Sequence, residues 1–379
     1  MSRQRSSNAW RITFILLLLS APTLLVSGSS MRPATAASVL SVSKTSNGLV
    51  TSDSLTTGSV SLWTFGGSAV VQGAPAKYSE DSAGLHLGVQ SKVSGQWAGY
   101  YGARGENAQL FHATLSLPST TLPTNHSFNT GLYVQTGGVN VNYVTCAGGV
   151  DLGGYFWAVV QATGNPNGAT AYNTLWFQWM NGQPLTRDCT IVTNGSNILD
   201  VYFDGTLVYS STSLNLGYQY PLFVFLEVQT TDNTAMHFST YTDYYATSSD
   251  TVTVNGAPAG STVEIVGPSG NVFASATAGL DGSAKMKIAK YHLPLTANVE
   301  VLVMGVVVAS TTATTTVYGG DVYSVGGLSG GGTGTAAPTG VSTSNPVSSG
   351  TINPNVGQGV TSKVSGPIGG TICIVGLCL

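Results

Sequence analysis

Leu199-Asp-Val-Tyr-Phe-Asp-Gly-Thr-Leu-Val-Tyr209 decides the fold class. Two runs of β-branched and aromatic residues flank Asp204-Gly205, a pair that tolerates the positive φ of a two-residue hairpin turn. The same pattern extends outward. Upstream, Ser61–Phe65 and Ala108–Leu117 alternate. Thr130–Thr136 and Val139–Cys146 are separated by Gly137-Gly138, and Tyr155–Thr163 and Leu175–Met180 are aromatic-rich. Downstream, Leu222–Thr230 and Met236–Tyr245 read as two further strands. No amphipathic helix interrupts the series. The spacing predicts an all-β protein with a double-sheet jelly roll over residues 60–248.

A second, smaller unit is expected over 249–318. Its short strands are punctuated by Asn255-Gly256, Pro268–Asn271, Asp281-Gly282 and Gly305, a pattern of Ig-like sandwiches. Residues 37–59 are Ser/Thr-rich and read as a lead-in. Residues 319–379 read as a Gly/Ser/Thr-rich tail, with a flexible stretch from Gly326 to Gly366. The apolar end from Gly369 to Leu379 is too short to span a bilayer.

The apolar run from Ile12 to Val26 follows Arg3, Arg5 and Arg11, the form of an export signal. Residues 1–36 are therefore a signal peptide with a small-residue cleavage site at Ala34-Thr-Ala36, or an N-terminal anchor. Either way the bulk of the chain is expected outside the cell or on its surface, touching membrane only through that segment. Charged residues are 8% of the chain, against roughly 25% in an average domain. A net charge of −3 with no basic stripe excludes a nucleic-acid binder that works by phosphate neutralisation. The four cysteines, Cys146, Cys189, Cys373 and Cys378, allow three pairings. The simplest joins Cys146 to Cys189 and Cys373 to Cys378. Asn125-His-Ser127 and Asn194-Gly-Ser196 are N-glycosylation sequons. The five histidines show no ligand spacing, and no cofactor or metal is expected.

Several stretches resemble known families. Asn197–Tyr209, followed by Phe223–Gln229 and Phe238–Tyr245, resembles the strand, D-G turn and strand of concanavalin A-like sandwich domains. Asn142–Cys146, Gln183–Thr190 and Thr193–Asn197 are similar to uncharacterised exported proteins of ammonia-oxidising archaea, which implies a cell-surface location. Val252–Val317 resembles carboxypeptidase-regulatory or Ig-like modules. Gln96-Trp-Ala-Gly-Tyr100 and Gln135-Thr-Gly137 are similar to the N-W-A-G and Q-T-G motifs of glutamic peptidases. That resemblance implies catalysis by Gln135 and Glu227, although the Glu context Phe225-Leu-Glu-Val228 departs from the family's.

Alternation puts Tyr133 with Gln135, Trp176 with Gln178, and Phe225 with Glu227 on one face of their strands. If those faces coincide, they form a concave floor of aromatics and amides suited to a sugar. Most of the tryptophans are expected to be core, with one or two lining a groove. The E-x-D-x-x-E strand of glycosidases on this fold is absent. These features point to an exported binding or adhesion protein for a glycan or cell-envelope component. An acid hydrolase using Gln135 and Glu227, and a structural envelope component, are the alternatives.

Overall fold

Asp204 and Gly205 have φ of 50° and 70°, so the hairpin forms where the sequence places it. The computed structural model describes residues 39–57, 62–92, 96–102, 106–136, 142–151, 153–164, 170–181, 185–216, 221–288, 295–326, 373–374 and 377–378. The export segment, the Gly137-Gly138 turn and nearly all of the tail lie outside them.

The first strands in chain order are β1 (Leu40–Ser46), β2 (Leu49–Asp53), β3 (Trp63–Gly66), β4 (Ala76–Asp81), β5 (Gly84–Val89), β6 (Gln96–Gly102), β7 (Leu110–Ser116) and β8 (Phe128–Thr136). Then come β9 (Tyr143–Asp151), β10 (Gly154–Gly164), β11 (Thr170–Met180), β12 (Thr186–Thr193), β13 (Leu199–Phe203), β14 (Thr206–Ser211), β15 (Leu222–Thr230) and β16 (His237–Thr247). The second unit adds β17 (Thr251–Asn255), β18 (Thr262–Val266), β19 (Val272–Thr277), β20 (Ala284–Lys287), β21 (Leu295–Val303), β22 (Val306–Ser310), β23 (Thr315–Val317) and β24 (Val322–Val325). Two short C-terminal strands, Cys373–Ile374 and Leu377–Cys378, pair antiparallel with Cys373 opposite Cys378.

Two antiparallel sheets form the first sandwich. One runs β11-β10-β9-β8-β15-β6-β3, the other β14-β13-β12-β7-β16-β5-β4, with β2 on β16. This is the all-β double-sheet architecture expected. Strand β15 shows how the sequence selects it. Leu222, Val224, Leu226 and Val228 are buried, while Phe223, Phe225, Glu227 and Gln229 are half-exposed on the other face. The inward residues join Trp157, Phe111, Phe128, Leu132, Ile191 and Tyr244 in one core. Cys146 on β9 and Cys189 on β12 are disulfide-bonded across that core, with Cα atoms 6.4 Å apart, so the bridge ties sheet to sheet.

Within residues 37–59, expected as a lead-in, β1 and β2 are paired strands. β2 pairs with β16 in the first sandwich. β1 is a working strand of the second unit, whose order is β19-β18-β21-β22-β1-β24-β17-β20, with β23 on β21. The start of β1 runs parallel to β22, and its remainder runs antiparallel to β24. Ser/Thr-rich composition hid this strand, because only Val42 of its seven residues is buried. The second unit likewise extends past residue 318 through β24, whose Tyr323 is fully buried. The first sandwich is thus inserted between β1 and β17.

The two units share apolar contacts. Leu110, Val192, Tyr202 and Tyr245 of the first sandwich pack into the second core with Val252, Val254 and Met286. Lys287 bridges the junction, 2.6 Å from Asp200 and 3.3 Å from Asp250. Beside it, buried Asp321 accepts from the Gly48 and Tyr318 amides, each at 2.8 Å, and lies 2.6 Å from Lys44 Nζ. The backbone is so close here that a Cβ on Gly48 would lie 2.0 Å from the Gly319 carbonyl oxygen.

Candidate functional site

The face of the seven-stranded sheet turned away from the core carries the candidate site. Its register sets three neighbouring rows across the strands. The central row runs Gly99, Glu227, Gly131, Ala147, Ala158, Phe177 from β6 to β11. On one side lie Phe225, Tyr133, Thr145 and Val160. On the other lie Gln229, Asn129, Gly149, Phe156 and Trp179. Four strand spacings separate Glu227 from Phe177, about 19 Å. The result is a row of small residues with an acid at one end and aromatics at the other.

Glycine makes room for neighbouring side chains. A Cβ on Gly131 would come within 2.7 Å of both the Thr145 hydroxyl and the Tyr133 ring. A Cβ on Gly149 would lie 2.3 Å from the Phe156 ring, so its absence lets that ring lie down on the sheet. Phe156, Phe177 and Trp179 form a mutual cluster with ring centroids 5.0–5.8 Å apart. Phe156 is buried beneath, whereas Trp179 is 40% exposed at the rim.

The polar groups are few and under-used. Asn129 and Thr145 are 5% and 2% exposed, yet Asn129 Oδ1 and Thr145 Oγ1 are buried with no hydrogen-bond partner. Buried polar atoms of this kind call for a partner. Tyr133 lies diagonally across from Glu227, one register step along β8. Glu227 as a whole is half-exposed, but desolvation of its carboxyl end by the surrounding protein raises it to about 8, and the Tyr133 hydroxyl offsets only part of that. Burial, followed by the Glu227 charge, raises the Tyr133 phenol well above its usual range.

The residues singled out from sequence divide between the two faces. Tyr133, Gln135, Phe225 and Glu227 do share this outer face. Trp176 and Gln178 do not. They pair with Val159 and Trp157, on the core side, and Trp176 contacts the Phe203 ring. The cause is a bulge: the register passes from Val159 opposite Trp176 to Val160 opposite Thr174, leaving Leu175 as the extra residue. One extra residue exchanges the faces of everything beyond it. Phe177 and Trp179 therefore take the outward places that Trp176 and Gln178 were expected to hold. Trp63 and Trp157 are core.

Gln135 and Glu227 are on one face without coming together. Glu227 is opposite Gly131, and Gln135 lies four residues farther along β8, about 13 Å at the strand rise. Three aspartates of the same sandwich already have structural partners. Asp200 accepts from Ser210 and Lys287, Asp204 from the Asp188 amide, and Asp232 from Thr234. Among the described residues, no group of three or more His, Cys, Asp or Glu is placed to hold a metal. Of the sequons, Asn125 is exposed. The Asn194 side chain closes its own turn, its Oδ1 accepting from the amides of Ser196, Asn197 and Ile198 and its Nδ2 donating to Asn197.

No protein-family model matches the sequence, and no curated protein does. Among solved structures, a Bacteroides ovatus mixed linkage glucan GH16 in complex with product is 8% identical, with a TM-score of 0.37 over 51% of this chain and 98% of its own. The kappa-carrageenase from Pseudoalteromonas carrageenovora, in complex with an oligotetrasaccharide of kappa-carrageenan, is 10% identical, with a TM-score of 0.34 over 57% and 100%. The potassium-bound Emp46p carbohydrate recognition domain is 11% identical, with a TM-score of 0.35 over 51% and 95%.

Proposed function

We propose that this is an exported, cell-surface protein that binds glycans through the outer face of the seven-stranded sheet. One observation carries the reading. The buried, unpartnered acceptors Asn129 Oδ1 and Thr145 Oγ1 border a row of small residues that ends on the Phe156, Phe177 and Trp179 cluster. A sugar offers hydroxyl donors along its edges and C–H faces that stack on aromatic rings, so it satisfies both ends at once. Among the described residues the register puts two carboxylates on this face, Glu227 and Asp151, the latter at the end of β9 opposite Gly154 with its Oδ1 accepting from the Gly153 amide. They stand two strand spacings and four residues apart, about 16 Å along the backbone, wider than the roughly 5–9.5 Å of a glycosidase pair, so the geometry favours retention of the sugar over its hydrolysis.

The cell-surface setting is supported by the arginine-flanked apolar run Ile12–Val26. It is supported too by the Cys146–Cys189 bridge, a bond that persists in oxidising compartments. Affinity electrophoresis in a panel of soluble polysaccharides tests the binding reading. Retardation of the full chain in at least one polysaccharide, lost or weakened in Trp179→Ala, is expected. Migration unchanged across the whole panel overturns it.

A further inference from the structure

We infer that the ligand is an uncharged glycan lying across the strands, its hydroxyls donating at the Glu227 end and its rings stacking at the Trp179 end. This rests on the glycan-binding reading of the same face. The inference begins with what the face lacks. The positions that the register assigns to it from β3 to β11 include no Lys, Arg or His. A sulfate, phosphate or uronate buried on this face would find no cation to offset its desolvation.

What the face does present is acceptors. Asn129 Oδ1 is an acceptor, and Thr145 Oγ1 accepts while its own hydrogen remains free to donate. Both are nine-tenths buried or more and border the central row beside Gly131. The matching groups on a ligand are donors, which in a neutral sugar are hydroxyls. The direction of the ligand follows from the register. The small residues Gly131, Ala147 and Ala158 succeed one another across β8, β9 and β10, not along any one strand. The row of small residues therefore runs perpendicular to the strands, about 19 Å from Glu227 to Phe177. Its far end is the exposed Trp179 ring on the edge strand β11, where a growing oligosaccharide arrives last.

Isothermal titration of the full chain tests this with three probes, each at low and high salt. They are neutral β-glucan oligosaccharides of increasing length, a sulfated galactan oligosaccharide and a polyuronate oligosaccharide. The neutral series is expected to bind, with affinity rising with length until the row is covered and changing little with salt. Trp179→Ala should remove the gain from length, about tenfold. Gly131→Val should abolish binding, with folding checked by an unchanged circular dichroism spectrum. Because Trp179 is at the rim, its variant keeps the test sharp if Gly131→Val does not fold. Anionic probes that bind as tightly as neutral ones, or binding that weakens steeply with salt, overturn the inference and leave the glycan reading standing. If no probe of any class binds, both fall.

Discussion

The Tyr241 hydroxyl crosses the core of the first sandwich and donates to the backbone carbonyl of Glu227 at 2.6 Å. Tyr241 belongs to β16 in one sheet and Glu227 to β15 in the other. The same hydroxyl bonds the Thr130 side chain, so a buried phenol fixes β15 and β8 directly beneath the row of small residues. Tyr241→Phe keeps the packing and removes the bond. Stability should fall by about 1–3 kcal/mol, the penalty for leaving buried polar groups unsatisfied. Urea unfolding measures it. A change within error would mean that the bond does not matter.

Glu227 should make the protein less stable as pH rises. Its folded value of about 8 lies above the ordinary 4.5, so the folded state holds a proton that the unfolded chain releases. Stability attributable to this group is highest below about pH 4.5 and declines until about pH 8. Glu227→Gln should flatten that part of the profile. Parallel curves for wild type and variant across pH 5–9 would show that the carboxyl titrates normally.

Asp232 works in the opposite sense. Burial pushes its carboxyl up, but His237 Nε2 at 2.6 Å and the Thr234 amide and hydroxyl outweigh this and hold it at about 2. A depressed carboxylate stabilises above about pH 4 and loses that contribution as pH falls through about 2. Asp232→Asn should therefore lower stability at neutral pH and leave it nearly unchanged near pH 2, as read by denaturant titration at both values.

Reduction of the Cys146–Cys189 bridge, or its replacement by two alanines, should cost about 2–5 kcal/mol. The bond fixes the two sheets to each other, so loss should appear as one cooperative drop in melting temperature. Thiol titration of the denatured, unreduced protein checks that the bridge exists.

Asp321→Ala should weaken the junction. It strands the Gly48 and Tyr318 amides and removes the acid beside Lys44. The expected loss is about 2–5 kcal/mol, readable by hydrogen exchange as faster opening of Val42 and Tyr323. Unchanged protection there would show that β1 is held without it.

Much of the first sandwich was legible because its outer residues alternate in chemistry. Phe223-Val-Phe-Leu-Glu-Val-Gln229 separates its two faces at every step of β15. The Asp204-Gly205 turn was legible because turn chemistry is local. The contribution of β11 was not. A bulge at Leu175 arises from how two strands meet, and no residue in Leu175-Trp-Phe-Gln-Trp179 announces it. Trp176 and Trp179 are therefore equivalent in the sequence and opposite in the fold. Asn129 and Thr145 were invisible for another reason: an acceptor without a partner is a property of its surroundings. The role of β1 depends on β24, which lies at the far end of the folded chain.

That last pairing governs the order of assembly. Gly48 and Asp321 are bonded to each other across 273 positions of sequence. The N-terminal end of a chain leaves the ribosome or a translocation pore first, and the partner of Gly48 follows 273 positions later. The inserted sandwich has all its own strands in hand by Thr247 and is free to collapse around its disulfide. Strand β1 must wait, unpaired, through that whole interval, and closing so long a loop is slow. The second unit is therefore a latch that sets only once β24 has emerged, and truncation before Val325 should leave the first sandwich formed and β1 exposed.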